Sequence, residues 1–148
     1  MTDSAEPSRR LRTLWGAVCA GGLSALVVLT GVAVSRPTHP MAEHADAAFY
    51  ACAVYGVVAL AVGFWLLQRM ERRLMAAPSD AAALAVVRGH GVAAMAAVES
   101  SAVLAGVVAF LTGNLLAVAF GVPLLAFTAL TWPSAERVAG WLALRTRR

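Results

Sequence analysis

Four long apolar runs, separated by short polar segments, dominate the sequence. They cover about residues 14–34, 47–67, 84–112 and 115–132. The first two runs contain no charged side chain and are 21 residues long. A helix needs roughly 20 apolar residues to cross about 30 Å of hydrocarbon. The pattern therefore predicts an all-α polytopic membrane protein with four transmembrane helices.

Polar and helix-breaking residues mark where the runs end. The second run stops at the polar segment 68–73, and either Ser79 or Asp80 is suited to cap the start of the third helix. Residues 113–114 are Gly-Asn, a tight-turn sequence between the third and fourth runs. Pro133 ends the fourth run, and Pro123 lies within it, where a spanning helix tolerates proline as a kink.

The composition fits a lipid environment. Hydrophobic residues make up 60% of the 148 residues, charged residues make up 14%, and the mean hydropathy is +0.73. A soluble domain typically has about 25% charged residues, and it could not cover this much apolar surface. The net charge of +4 comes with no nucleic-acid-binding motif, so we expect no nucleic-acid partner. The absence of lysine beside abundant alanine and arginine suggests a GC-rich bacterial source.

The arginines predict the orientation. Eleven of the twelve lie before the first run, between the second and third runs or at the start of the third, and after the fourth. Only Arg36 falls on the opposite side. Because positively charged flanks remain in the cytoplasm, we predict a bacterial inner-membrane protein with both termini cytoplasmic.

The chain outside the four runs is short. We predict a cytoplasmic tail over residues 1–13, a transmembrane domain over 14–132, and a cytoplasmic segment over 133–148. Within that last segment, Val138, Trp141 and Leu142 share one helical face. Such a pattern predicts an amphipathic helix in the membrane interface, followed by a basic tail.

An export signal is an alternative interpretation of the first run. Residues 8–10 resemble the start of a twin-arginine signal, and residues 33–35 resemble a small-residue cleavage site. The apolar part of a signal peptide is typically about 7–15 residues long. This run is longer and three further runs follow, which favours an uncleaved spanning helix.

Glu99 is the residue that the apolar pattern does not explain. It lies near the middle of the third run, where an acidic side chain costs about 2.5–3.5 kcal/mol on insertion scales. We expect it to be protonated, paired or facing a polar cavity. The hydroxyls of Ser100 and Ser101 follow directly, so we predict an ion-binding site formed by Glu99, Ser100 and Ser101. The alternative is that a protonated Glu99 serves only to hold helices together.

Other polar residues carry weaker signals. Arg88 is eleven residues before Glu99, too far along the helix to pair with it, and we expect it to reach the cytoplasmic interface. His90 points away from the Glu99 face. The loop over residues 39–46 contains potential metal ligands, but their spacing matches no standard site. We predict no metal, no cofactor and no enzymatic activity, since an active site needs two or more convergent polar groups.

Residues 98–111 read VESSAVLAGVVAFL. This segment resembles the carboxylate-bearing helix of the proteolipid c subunits of rotary ATP synthases, and residues 69–78 supply a basic loop before it. The resemblance implies that Glu99 binds a translocated proton or sodium ion. The chain departs from the family in having only Gly56 and Gly63 where a glycine ladder is expected, and in the two further helices that flank the hairpin.

Two functions follow as hypotheses. The first is a proteolipid-like proton-binding or transport subunit that uses Glu99. The alternative is a non-catalytic accessory or assembly protein in which Glu99 is a helix-packing residue. For both we expect the lipid bilayer as the surroundings, and either self-association or a partner within a membrane complex, because one four-helix unit barely encloses a path.

Overall fold

The computed structural model describes residues 5–145 and the side chains of residues 9–144. The first four residues of the predicted tail, and the last three residues with Arg147 and Arg148, lie outside the described residues. The described chain is helical, with no strand. Its α-helices are α1 (Ala5–Ser35), α2 (Ala45–Met75), α3 (Asp80–Thr112), α4 (Gly121–Thr131) and α5 (Ala135–Arg145).

Three helices are long and apolar enough to cross a membrane. They are α1, α2 and α3. The described chain has up to four such spans if the segments Leu115–Thr131 and Ala135–Leu144 are counted together as one bent span. The prediction of an all-α protein with several helices long and apolar enough to cross a membrane is therefore confirmed at this coarser level. The break between those last two segments bends the chain by 68°.

Helices α1 and α2 continue beyond their apolar runs because their inner faces continue. Leu11 in α1 and Met70 and Leu74 in α2 are buried, although arginines surround them in sequence. They keep the spacing of about 3.6 residues that places side chains on one face of a helix. These residues pack with Val87 in a small apolar cluster at the end of the bundle where α1 and α3 begin and α2 ends.

Two sequence signals at the ends of α3 are confirmed. The Ser79 hydroxyl accepts a hydrogen bond from the Ala82 amide at 3.2 Å, so Ser79 is the N-cap. At the other end Gly113 adopts a left-handed conformation with φ of 74°, which glycine reaches without steric cost. Asn114 then accepts a hydrogen bond from the Leu116 amide and starts the next segment.

The fourth apolar run differs from a single α-helix. Residues Leu115–Phe120 form a 3-10 helix, and α4 begins only at Gly121. Pro123 is the third residue of α4 and lies in its first turn, where a helix tolerates proline best. The structure thus places the proline after the change of helix type.

Helix α5 packs across the end of the bundle where α1 and α3 begin. Val138 is buried, and the Trp141 ring lies 6.2 Å from the Trp15 ring, measured between centroids. Leu142 packs against the apolar cluster that includes Leu11. The three side chains that the sequence places on one face of this helix therefore all contact the protein.

The loop between α1 and α2 is fixed to the far end of α3. The His39 Nδ1 atom lies 3.2 Å from the Phe110 carbonyl oxygen, and the Met41 amide donates to the Leu111 carbonyl oxygen at 3.0 Å. The Arg36 guanidinium lies over the Phe110 ring, 4.4 Å from its centroid. This loop therefore closes the end of the bundle opposite α5.

Helix α3 is the centre of the bundle. It packs along its length against both α1 and α2, whereas the described parts of α1 and α2 hardly touch each other. The 3-10 helix and α4 also pack on α3. Much of α3 is therefore buried or half-buried between neighbouring helices, including the residues on either side of Glu99, while Arg88, Ala96 and Val103 stay exposed.

Candidate functional site

The Glu99 side chain lies against a pair of glycines in α1. A Cβ atom added to Gly22 would overlap the Glu99 Cγ atom and would lie 2.9 Å from Oε1 and 3.0 Å from the carboxyl carbon. A Cβ atom on Gly21 would lie 3.0 Å from Oε1. The missing side chains of the two glycines thus make the space that the glutamate occupies.

The backbone of Gly22 is also a polar neighbour of the Glu99 carboxyl group. Both residues lie near the middle of the apolar stretch of their helices, and Glu99 is half-buried. A polar group at this depth is costly without a hydrogen bond. The α1 contact therefore supplies room and a polar backbone neighbour for a carboxyl group that lies midway along two long apolar helices.

The two serines of the predicted ion site point elsewhere. Ser100 donates to the Ala97 carbonyl oxygen at 2.6 Å, and its hydroxyl oxygen lies 2.8 Å from the Tyr55 hydroxyl of α2. Ser101 is buried and donates to the Val98 carbonyl oxygen at 2.6 Å. Among the described side chains, neither hydroxyl is hydrogen-bonded to Glu99. The three residues are adjacent in sequence, but the hydrogen bonds divide them between different sides of α3.

A sulfur–hydroxyl contact lies near the glycine pair on α1. The Cys19 Sγ atom is 3.5 Å from the Thr128 Oγ1 atom of α4, and Thr128 donates its own hydrogen to the Leu124 carbonyl oxygen. The Cys19 thiol is therefore left to act as the donor. Cys19 and Cys52 are both free and buried.

Glycines recur along the whole contact between α1 and α3. The Trp15 indole fills the space over Gly91. A Cβ atom added to Gly91 would lie 3.1 Å from the Trp15 Cε2 atom. A Cβ on Gly106 would lie 3.1 Å from the Leu29 side chain. Because Trp15, Gly22 and Leu29 are seven residues apart, they mark one face of α1 at every second turn. Small residues allow the close backbone approach that is typical of membrane helix pairs.

The remaining polar candidates lie away from Glu99. Arg88 is exposed and lines a groove with Arg9 and Arg10 at the end of the bundle where α1 and α3 begin. The His90 Nδ1 atom lies 3.3 Å from the Val86 carbonyl oxygen of the preceding turn. Within residues 5–145, no group of three potential metal ligands is close enough to hold an ion.

Sequence reasoning missed the glycine pair and the arginine groove. The adjacent glycines in the first apolar run were a usable signal, since two glycines in a membrane helix mark a point of close approach. The groove could not be found in this way, because it brings together residues that are more than seventy positions apart in the chain.

The resemblance to proteolipid c subunits concerns α2, α3 and the loop between them. In the structure the Glu99 carboxyl group faces α1 rather than α2. The partner of the carboxyl group is thus one of the two additional helices, and the link to that family stays a prediction. Comparison with family models, with curated proteins and with solved structures found no match for this chain.

Proposed function

We propose that this chain is a small bacterial inner-membrane protein that spans the bilayer four times, with both termini in the cytoplasm. The distribution of the arginines supports this orientation. The fourth span would be residues 115–131. A 3-10 helix rises about 2 Å per residue and an α-helix about 1.5 Å, so this segment reaches about 28 Å, nearly the thickness of the hydrocarbon layer. Helix α5 would then lie in the cytoplasmic interface.

Within this framework, we propose that the protein binds a proton at Glu99 and takes part in proton transport, as a proteolipid-like subunit would. The observation that carries the proposal is the Glu99 carboxyl group set against Gly21 and Gly22 in the middle of the apolar layer. Intramembrane carboxyl groups of this kind are typical of proton relays. A glutamate is not needed merely to fill the space beside the glycines, because an apolar side chain would fill it at a lower free-energy cost of membrane insertion.

The proposed cycle uses only the carboxyl group and its helical surroundings. The neutral acid sits against the glycine pair, where a charge would be poorly solvated. Release of the proton to water leaves a carboxylate, which must gain access to water or to a cation. A neighbouring subunit would provide that access, and self-association or a larger membrane complex is part of the proposal.

A packing role is the second candidate, and one observation favours it. The Glu99 Cγ atom fits over Gly22 so closely that the glutamate itself locks α1 onto α3. In that case the protein would be an accessory or assembly factor, and the charge state of Glu99 would be irrelevant. Glutamine, which has nearly the same shape and can hydrogen-bond, would replace the glutamate without loss.

The Glu99→Gln and Glu99→Leu variants distinguish the two candidates. If Glu99 carries protons, Glu99→Gln abolishes proton flux into proteoliposomes while the protein assembles as the wild type does. If Glu99→Gln retains any flux and complex formation while Glu99→Leu disrupts assembly, the packing role is supported instead. Both variants are checked by size-exclusion chromatography in mild detergent.

Labelling with dicyclohexylcarbodiimide provides an independent test that needs no transport assay. This reagent modifies protonated carboxyl groups that are accessible from lipid. We expect labelling of the wild type that Glu99→Gln removes. Glu71 is an exposed carboxylate near the end of α2 and serves as the matched control, so Glu71→Gln should leave labelling unchanged. Absence of labelling at Glu99 contradicts the proton-binding proposal.

A further inference from the structure

A groove lies between the first turns of α1 and the start of α3. Its volume is about 720 Å³, within the usual range of about 300–1,000 Å³ for ligand pockets. Arg9 and Arg10 of α1 and Arg88 of α3 line it, and none of the other described lining residues is acidic. Its remaining walls are mostly small or apolar, with Leu14 and Leu84 among them.

The groove lies at the level where the apolar layer begins. Leu14 is the first residue of the uncharged run of α1, and Arg9 and Arg10 precede it by about one turn. Arg88 reaches the same level because α1 and α3 run in the same direction and pack side by side. The arginines thus form the rim facing the lipid headgroups, while Leu14 continues into the apolar layer and Leu84 lies one turn before Arg88, on the cytoplasmic side.

We propose that this groove binds one anionic phospholipid. The phosphate of the headgroup would lie between the guanidinium groups of Arg88 and the α1 arginines, which suit phosphate because they can donate two hydrogen bonds at once. An acyl chain would run over Leu14 along the α1–α3 seam. Basic pockets between membrane helices at the headgroup level are known to select anionic lipids. This proposal does not depend on proton binding at Glu99.

The second arginine cluster of the chain offers a matched control. Arg69, Arg72 and Arg73 surround Trp65 near the end of α2, beside a smaller cavity of about 250 Å³. The Arg69 guanidinium lies over the Trp65 ring, 5.1 Å from its centroid. This second cluster therefore carries the same number of positive charges as the groove, but it does not lie on the apolar seam between α1 and α3.

The test compares lipid retention by native mass spectrometry. The full-length protein is mixed in detergent with phosphatidylglycerol or phosphatidylcholine of identical acyl chains. We expect preferential retention of one phosphatidylglycerol by the wild type. Each basic residue near an anionic lipid surface contributes about 1 kcal/mol, so Arg88→Gln should weaken that retention about fivefold. A triple variant with Arg9, Arg10 and Arg88 changed to Gln should show no preference.

The controls make each outcome decisive. The triple Gln variant at positions 69, 72 and 73 should retain the wild-type preference, and an equal loss in both triple variants would overturn the proposal. Ala85→Trp fills the groove while leaving all arginines in place, and it should also abolish the preference. If millimolar inorganic phosphate displaces the lipid, the groove is a phosphate site rather than a lipid site. An unchanged elution volume confirms that each variant is folded, and unchanged tryptophan emission confirms it for the arginine variants, which keep the native set of tryptophans.

Discussion

Substitution of Gly22 by alanine tests the central contact of the candidate site. The new methyl group would overlap the Glu99 Cγ atom and approach the carboxyl group to 2.9 Å. Overpacking of this kind costs about 1–3 kcal/mol. Against this, alanine is about 1 kcal/mol more favourable than glycine in a helix. We expect Gly22→Ala to range from neutral to about 2 kcal/mol less stable than the wild type.

The decisive quantity is the coupling between positions 22 and 99. In a Glu99→Ala background the overlap is gone, so Gly22→Ala should stabilise the protein by about 1 kcal/mol. The difference between the two backgrounds gives a coupling free energy of about 1–3 kcal/mol, typical of residues in direct contact. Intrinsic helix preferences cancel in this comparison, which leaves the contact itself.

The measurement is reversible unfolding by SDS of the protein in mixed micelles, followed by tryptophan fluorescence. Gly31 is the matched control, because it lies in the same helix and a Cβ there meets no atom within 4 Å. Gly31→Ala should therefore stabilise the protein about equally with and without Glu99. A coupling between positions 22 and 99 below about 0.5 kcal/mol, the usual limit for independent sites, would refute the described packing of Glu99.

Three further variants test other close contacts. Gly63→Ala would place a methyl group 2.9 Å from the Val98 side chain, so we expect a loss of up to about 2 kcal/mol in the same unfolding assay; a gain in stability would contradict the packing of α2 on α3. Gly113→Ala forces a side chain into a left-handed conformation, and the melting temperature should fall by an amount equivalent to about 1–2 kcal/mol. Trp15→Ala removes a fully buried ring that contacts Trp141, so we expect a loss of about 3–5 kcal/mol and faster proteolysis of α5; an unchanged cleavage rate would show that α5 is held by other contacts.

The sequence was sufficient to place α3 and both of its ends, but not the ends of α1 and α2 or the change of helix type in the fourth run. Runs of apolar residues, a capping serine and a Gly-Asn turn are local signals, and local backbone chemistry decides where a helix begins and stops. Ser79 and Gly113 act in the structure as these rules predict. Glu99 was also visible as an exception, since one acidic residue in a long apolar run needs no structural information to be noticed.

The neighbours of Glu99 could not be predicted in the same way. In a membrane helix the surface towards lipid is as apolar as the surface towards protein, so α3 shows no clear polar face. Contact faces are then chosen by small residues that allow close approach. Gly91 and Gly106 in α3 mark the side that meets α1, but their partners Trp15 and Leu29 become evident only once the helices are paired. The same limitation concealed the hydrogen bond between Ser100 and Tyr55.

The arrangement around α3 gives the charge of Glu99 a mechanical consequence. Because α1 hardly touches α2, its place in the bundle depends largely on the glycine-lined contact with α3, and Glu99 lies in the middle of that contact. A neutral acid can stay against Gly21 and Gly22, whereas a charged carboxylate in an apolar layer costs several kcal/mol unless it finds water or a partner. Loss of the proton would therefore weaken the attachment of α1 more than that of α2. The difference can be measured as faster hydrogen exchange or cysteine accessibility in α1 alone, and Glu99→Gln should keep α1 in its protected state at every pH.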